Sequence, residues 1–337
     1  MKKICIIKLG ASGDVVRTLP IAQAIKKKYP DSEIDWITKE DAIPLIEGSK
    51  YISNVYSISF DKDVTYDLLY NFDLEEEATS LASKIPAREK KGFCSRDGFP
   101  AAFNAGAEYY LNTTFDDELK KNNKKTYQQM MFDAAELLYE HEKCQIILNE
   151  DDKDYARRFI DSNLLRDEKI IGIHLGAGSR WPSKVWHKER VKEFIKLADK
   201  KGYAVILFGG PNEIKEHALF IEELKKEGID VYRNKPENSK KEFASLVNIC
   251  DMMVCSDSFA LHISLALEKP TIGLFFVTSP DEVEDYGLLR KVVSPRLYEF
   301  FPEKSDRYDE ELTKSITAEE VIHLVDKIKT NKKPPAH

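Results

Sequence analysis

The chain has 337 residues, of which 42% are hydrophobic and 32% charged, with a formal net charge of −7 at pH 7. That length admits two domains of ordinary size, and no apolar run reaches the ~18 residues of a membrane-spanning helix. The acidic balance argues against general nucleic-acid binding, which needs a basic footprint.

Five cysteines (Cys5, Cys94, Cys144, Cys250 and Cys255) form no C-x-x-C pair. Reduced thiols, a cytoplasmic setting and no structural zinc are the expectation. Lys2 and Lys3 precede an apolar run as in a signal peptide, but the run is short, Lys8 interrupts it and no small-residue cleavage site follows. Ile4 to Leu9 is therefore read as a first, buried strand. Gly10-Ala11-Ser12-Gly13-Asp14 ends it, and a helix is predicted from Val15 to Tyr29, stopped at Pro30-Asp31. Strands follow at Glu33–Thr38, Val55–Ser59 and Tyr66–Phe72, with short helices at Asp41–Gly48 and Ala78–Ser83. Phe93 to Asn123 reads as loops and short pieces. Thr126 to Leu138 is a helix in which Met130 and Met131 fill core.

Charge is uneven along this half. Lys84, Arg88, Lys90, Lys91 and Arg96 cluster, and Lys120, Lys121, Lys124 and Lys125 follow. Two readings are open: a solvated surface, or a face for an anionic acceptor or membrane.

A domain boundary is expected between Leu148 and Glu168, with Asn149 to Asp152 as linker and N-cap and Tyr155 to Ser162 as a helix. Strand and helix then alternate again: strand Ile170–His174, helix Lys188–Lys201, strand Ala204–Phe208, helix Glu213–Glu227, strand Ile229–Tyr232. Ser239-Lys240-Lys241-Glu242 is a capping box opening a helix to Ile249. Strand Met252–Cys255, helix Phe259–Leu267 and strand Thr271–Phe276 complete the set. An amphipathic helix at Thr317–Ile328 precedes a frayed tail. Alternation in both halves implies α/β architecture: two Rossmann-like domains, each with a parallel sheet, facing each other across a cleft. Ligands then bind beyond the carboxyl ends of the strands.

Four glycine- or serine-bearing loops sit at such ends. In the first, Asp14 is either an N-cap or a general base for a hydroxyl. The second, from Gly176 through Ser179 to Lys184, resembles an anion-holding loop, with Lys184 placed to neutralise a leaving diphosphate; Trp186 reads as core. In the third, Gly209-Gly210-Pro211-Asn212-Glu213, the glutamate either complements the helix dipole or accepts from both hydroxyls of a ribose. In the fourth, Asp257-Ser258 opens a helix that carries His262, either buried or turned to the ligand. The first loop is not G-x-G-x-x-G, which argues against a dinucleotide-dependent dehydrogenase.

In this order the loops resemble glycosyltransferase family 9, the ADP-heptose:lipopolysaccharide heptosyltransferases and their relatives. The likeness extends over essentially the whole chain, including Tyr66-Asp67-Leu68-Leu69 and Lys91-Gly92-Phe93. It implies the GT-B fold, no metal, and a last helix crossing back to the first domain. Asp61-Lys62-Asp63 matches a metal-binding D-x-D only by letters. The resemblance makes residues 1–150 an acceptor domain with Asp14 as catalytic base, and 151–330 a donor domain. There Lys184 lies on the donor phosphates, Glu213 on the ribose, and Asp257, Ser258 and His262 in the donor motif. Gly13, Gly176, Ser179 and Gly209 complete the donor set. Arg88, Lys91 and Arg96 are the candidates for an anionic acceptor. Phe259 stands where the family usually has glycine, which lets backbone approach phosphate; a phenylalanine needs space and disfavours positive φ.

The implied activity is inverting transfer of a heptose from ADP-heptose to a lipopolysaccharide-type or other surface glycan. It would occur in the cytoplasm, with peripheral contact at the inner membrane face an option. Another nucleotide sugar, an epimerase or a non-catalytic sugar-nucleotide module are the alternatives.

Overall fold

A computed structural model describes residues 1–60, 63–176 and 180–328, with Asn212 by its backbone alone. The chain forms two compact units, Met1–Ile147 with Asp281–Glu284, and Leu148–Pro280 with the residues from Asp285 onward. Each is built on a six-stranded sheet.

In the first unit the strands are β1 (Lys3–Ile7), β2 (Glu33–Ile37), β3 (Asn54–Tyr56), β4 (Tyr66–Asn71), β5 (Ala87–Arg96) and β6 (Phe99–Ala102), in the order β3-β2-β1-β4-β5-β6. All pairings are parallel except β5 with β6. Ile4, Cys5, Ile6 and Ile7 are all fully buried, so β1 is covered on both faces, as a central parallel strand must be. The single helix expected after it is two, Ser12–Thr18 and Pro20–Lys28. Pro20 has no N–H to continue the first and suits the opening turn of the second.

The stretch read as irregular holds the last four residues of β5, the β5–β6 hairpin and the Ala105–Thr113 and Asp117–Asn122 helices. Asp97 and Gly98, both at positive φ, make the hairpin turn. Met130 and Met131 are buried, as expected of core filler. Asp61 and Lys62 lie outside the described residues.

In the second unit β7 (Lys169–His174), β8 (Tyr203–Phe208), β9 (Tyr232–Arg233), β10 (Met252–Ser256), β11 (Thr271–Phe275) and β12 (Leu289–Val293) run in the order β12-β11-β10-β7-β8-β9, all parallel. Alternate residues Ile171, Ile173, Val205, Leu207, Met252, Val254, Ile272 and Leu274 bury one face against Val191, Phe194 and Ile195 of the Lys188–Asp199 helix. Asn149 caps the Glu150–Ser162 helix in a box with Asp152, and Ser239 caps Lys240–Ile249 with Glu242.

The last helix, Ala318–Lys327, places Val321, Ile322 and Val325 in the same core as Phe194 and Ile195 of the second unit. An apolar stripe at i, i+1 and i+4 needs one partner face, and the Lys188–Asp199 helix supplies it. Among the described residues no helix is long and apolar enough to cross a membrane.

Candidate functional site

Each unit brings its glycine- or serine-bearing loops to the carboxyl ends of its central strands. In the first, Lys8 follows directly on β1 and is buried. Its ammonium donates to the Phe72 carbonyl at 2.9 Å and pairs with Asp73, just past β4. Asp73 also accepts from the backbone N–H groups of Leu9 and Gly10. Burial alone would push the Lys8 ammonium down; Asp73, with Tyr127, Asp14 and Tyr110, outweighs it and holds Lys8 well above the usual lysine range. The loop after β1 is thus fixed by a buried pair and two backbone bonds.

Asp14 rides on that loop. The N-cap reading is overturned: Ala11 is the N-cap, and Asp14 is the third residue of the Ser12–Thr18 helix, its own N–H bonded to the Ala11 carbonyl. Its carboxylate is 34% exposed and meets the Arg17 guanidinium at 2.8 Å. Gly13 is buried beside it.

In the second unit, His174 ends β7 and registers with Phe208 of β8 on one side and Cys255 of β10 on the other. Three adjacent strands therefore deliver their following loops to one place. Lys184 lies in a short turn, Pro182–Lys184. Ser183 anchors that turn, donating to the Arg307 carbonyl and accepting from the Asp309 N–H. The Lys184 ammonium stands 3.3 Å from Asp257 Oδ2, and His262 Nε2 is 3.7 Å from Asp257 Oδ1. Ser258 Oγ is 3.2 Å from His174 Nδ1. His262 is buried. Asp257 thus bridges the lysine loop and the histidine, joining the second and fourth loops.

Glu213 joins the third to them. Its Oε2 accepts from the Gly210 N–H at 2.7 Å, and its carboxylate lies over Gly176, where an added Cβ would come within 3.0 Å. Gly209 packs against the His217 ring so closely that a Cβ would stand 2.3 Å from Cε1. Both glycines are there because a side chain would displace the glutamate or the histidine. Ser179 lies outside the described residues.

Phe259 is the first residue of the Phe259–Ala266 helix and is absent from the positive-φ positions. The backbone strain anticipated for a phenylalanine here does not arise. Its ring packs on Phe243 at 5.4 Å, and Phe243 in turn meets Phe208 and His174. The Leu261 and His262 N–H groups donate to the Ser258 carbonyl, and those of Phe259 and Ala260, at the helix N-terminus, are of the kind that suits an anion.

Burial, with His217 adding, pushes the His174 imidazole down to about 4. Between pH 6.5 and 4 the unfolded chain takes up this proton and the folded chain resists it, so stability falls as pH drops through that window. The loss should be about 1–3 kcal/mol. Urea unfolding at pH 7 and pH 4.5 should show a smaller pH dependence in His174→Gln than in the wild type; equal dependence would refute the assignment.

The basic residues do not form one patch. Lys91 is buried and tied to Glu136 at 2.7 Å and Glu89 at 3.0 Å. Arg88 pairs with Asp67, and Arg96 donates to the Ala102 carbonyl at the other end of β5. Lys8, Asp73, Arg17 and Tyr127 were not singled out from sequence. A lysine interrupting an apolar strand and an acid just past a strand end were the available signals. Among the described residues no three His, Cys, Asp or Glu side chains group to hold a metal ion.

Residues 64–309 match the family model "Glycosyltransferase family 9 (heptosyltransferase)". The chain is 24% identical over 298 residues to lipopolysaccharide heptosyltransferase 1 of Campylobacter coli, covering 82% of this chain and 84% of that one. Among solved structures, a glycosyl transferase of family 9 from Veillonella parvula aligns with TM-score 0.77 and 19% identity, covering 97% of this chain and 96% of its own. An Escherichia coli heptosyltransferase solved with ADP-2-deoxy-2-fluoro heptose aligns with TM-score 0.62 and 17% identity, covering 96% and 99%.

Proposed function

Because the chain belongs to glycosyltransferase family 9, we propose that this transferase moves a heptose from ADP-heptose to a hydroxyl of a lipopolysaccharide core or related surface glycan, inverting the anomeric centre. The observation that carries the reading is the Asp257 bridge between Lys184 and His262, with Ser258 and Glu213 at the same strand ends. It combines a cation and a helix N-terminus for a diphosphate with a carboxylate for a ribose. The heptose and the adenine nucleotide are supported by the name of the Campylobacter relative and the ligand of the Escherichia coli structure.

In this mechanism Asp14 takes the proton of the acceptor hydroxyl as its oxygen attacks the anomeric carbon. The bond from that carbon to the diphosphate oxygen breaks, and ADP leaves with the electron pair. Lys184 and the Phe259–Ala266 helix N-terminus meet the charge that develops on the leaving group. Glu213 holds the ribose hydroxyls. Work at the inner membrane face fits a lipid-linked acceptor.

Calorimetry with ADP, UDP, GDP, CDP and TDP tests the donor half. ADP should bind best, and Glu213→Gln should weaken ADP by roughly tenfold or more, the worth of hydrogen bonds to a charged acceptor. Preference for another base, or unchanged affinity in Glu213→Gln, would overturn the assignment. Conversion of ADP-heptose to an altered free sugar without acceptor would replace transfer by epimerisation.

A further inference from the structure

We infer that Arg17 is the positioning residue of Asp14: stacked on the buried Tyr127 ring, it fixes the orientation and ionised state of the carboxylate. This rests on the reading of Asp14 as the base. An i, i+3 ion pair on an exposed helix is too weak and too mobile to hold a rotamer. This pair is built differently. The Arg17 guanidinium lies 3.7 Å from the Tyr127 ring centroid, and Tyr127 is 1% exposed. A planar cation on an aromatic face loses little freedom when it then grips a carboxylate.

The platform is itself fixed from several sides. Tyr127 opens the Tyr127–Ala135 helix behind the Thr126–Gln129 capping box. Its hydroxyl is 3.1 Å from Thr18 Oγ1, and Thr18 donates back to the Asp14 carbonyl at 2.6 Å. Tyr110 packs edge-on against it. A chain of contacts therefore runs from a helix more than a hundred residues away in sequence to both the backbone and the side chain of Asp14. The Asp14 Oδ2 atom lies on the Gly10 side, 3.5 Å from where a Cβ would stand.

Among the described residues, the charged and titratable groups that face Asp14 include Arg17 on its own helix, Lys8 from the end of β1, Asp73 from the end of β4, and Tyr110 and Tyr127 from the two later helices. Lys8 is already compensated by Asp73. Arg17 is in direct contact with the carboxylate at 2.8 Å, and a cation at that range favours the charged form of an acid.

The test is the pH profile of kcat/KM for ADP-heptose and a lipopolysaccharide-core acceptor in Arg17→Met, Arg17→Gln, Arg17→Lys and Asp14→Asn. The two neutral variants should lose roughly tenfold in kcat, and their acid limb should move up by about one pH unit. Arg17→Lys should keep the limb in place, with ADP affinity unchanged throughout. A loss of rate with an unmoved acid limb in both neutral variants would make Arg17 merely structural and overturn the inference. An equal shift in Arg17→Lys would do so too. Near-normal turnover in Asp14→Asn would instead remove the base reading itself.

Discussion

Asp14→Asn is expected to lower kcat by about 10²–10⁴, the range a general base contributes, while ADP affinity stays within about twofold of the wild type. Two carboxylates, Asp14 and Asp73, stand beyond the ends of β1 and β4, and their surroundings differ. Asp73 is buried, and its oxygens receive Lys8 and the N–H groups of Leu9 and Gly10. Asp14 is 34% exposed, on the first turn of a helix whose loop Asp73 holds still. The proposed base is therefore the more exposed carboxylate of the two. Asn has nearly the same shape and can still lie against Arg17, so folding and donor binding should survive. Steady-state kinetics with a calorimetric ADP titration separate the two effects. Retention of more than a tenth of the wild-type kcat would sink the assignment, and parallel loss of ADP binding would mean a folding defect.

The second unit was the more legible half. Its apolar runs are short and are punctuated by glycine and proline. Residues 170–174, 204–208, 252–255 and 271–276 were read as strands, and each lies within a residue or two of an observed one. β12 was missed because Leu289-Arg290-Lys291-Val292-Val293 alternates weakly, with two charged residues in its middle and an exposed valine at its end. β9 is only two residues long, and the strand read at Ile229–Tyr232 starts early and overlaps it at Tyr232. β5 failed for a similar reason in the first unit. Its amino-terminal half, Ala87 to Lys90, is mostly polar and partly exposed, and only Lys91 to Cys94 is buried. Period-2 patterning cannot announce a strand whose charged side chains are satisfied by partners distant in sequence, as Lys91 is by Glu136.

The sites divide in the same way. Loop residues with a chemical signature, such as Glu213 and the Asp257-Ser258 pair, stand out in the sequence because they punctuate a pattern. Their mutual geometry could not. That Asp257 spans from Lys184 to His262, or that Gly176 makes room for a glutamate from the next strand's loop, follows from the order β10-β7-β8. Parallel strand order is set by which faces must be buried, and local sequence carries little of that. Phe259 shows the converse. A motif comparison alone suggests strain, whereas the observed helical backbone and the contact with Phe243 give the ring an ordinary place.

The second large effect is expected at Asp73, and it is on stability. Asp73→Ala removes the partner of a fully buried ammonium and the acceptor of two backbone N–H groups together. Breaking a buried pair by removing one partner costs about 3–5 kcal/mol, because the remaining charge is left uncompensated in low dielectric. The sign of the pH dependence is fixed by Lys8. Its folded pKa lies above the usual lysine value, so the stabilisation is fully present at neutral pH and is lost only as pH rises through the folded pKa. Urea unfolding at pH 7 should therefore show the full loss. Lys8→Met should recover part of it when added to Asp73→Ala, since it removes the orphaned charge while the two N–H groups still lack their acceptor. A double-mutant cycle isolates that coupling. A single-variant loss below about 1 kcal/mol would show that water reaches Lys8. The loop carrying Asp14 would then owe its position to the Arg17–Tyr127 stack instead of the ion pair beneath it.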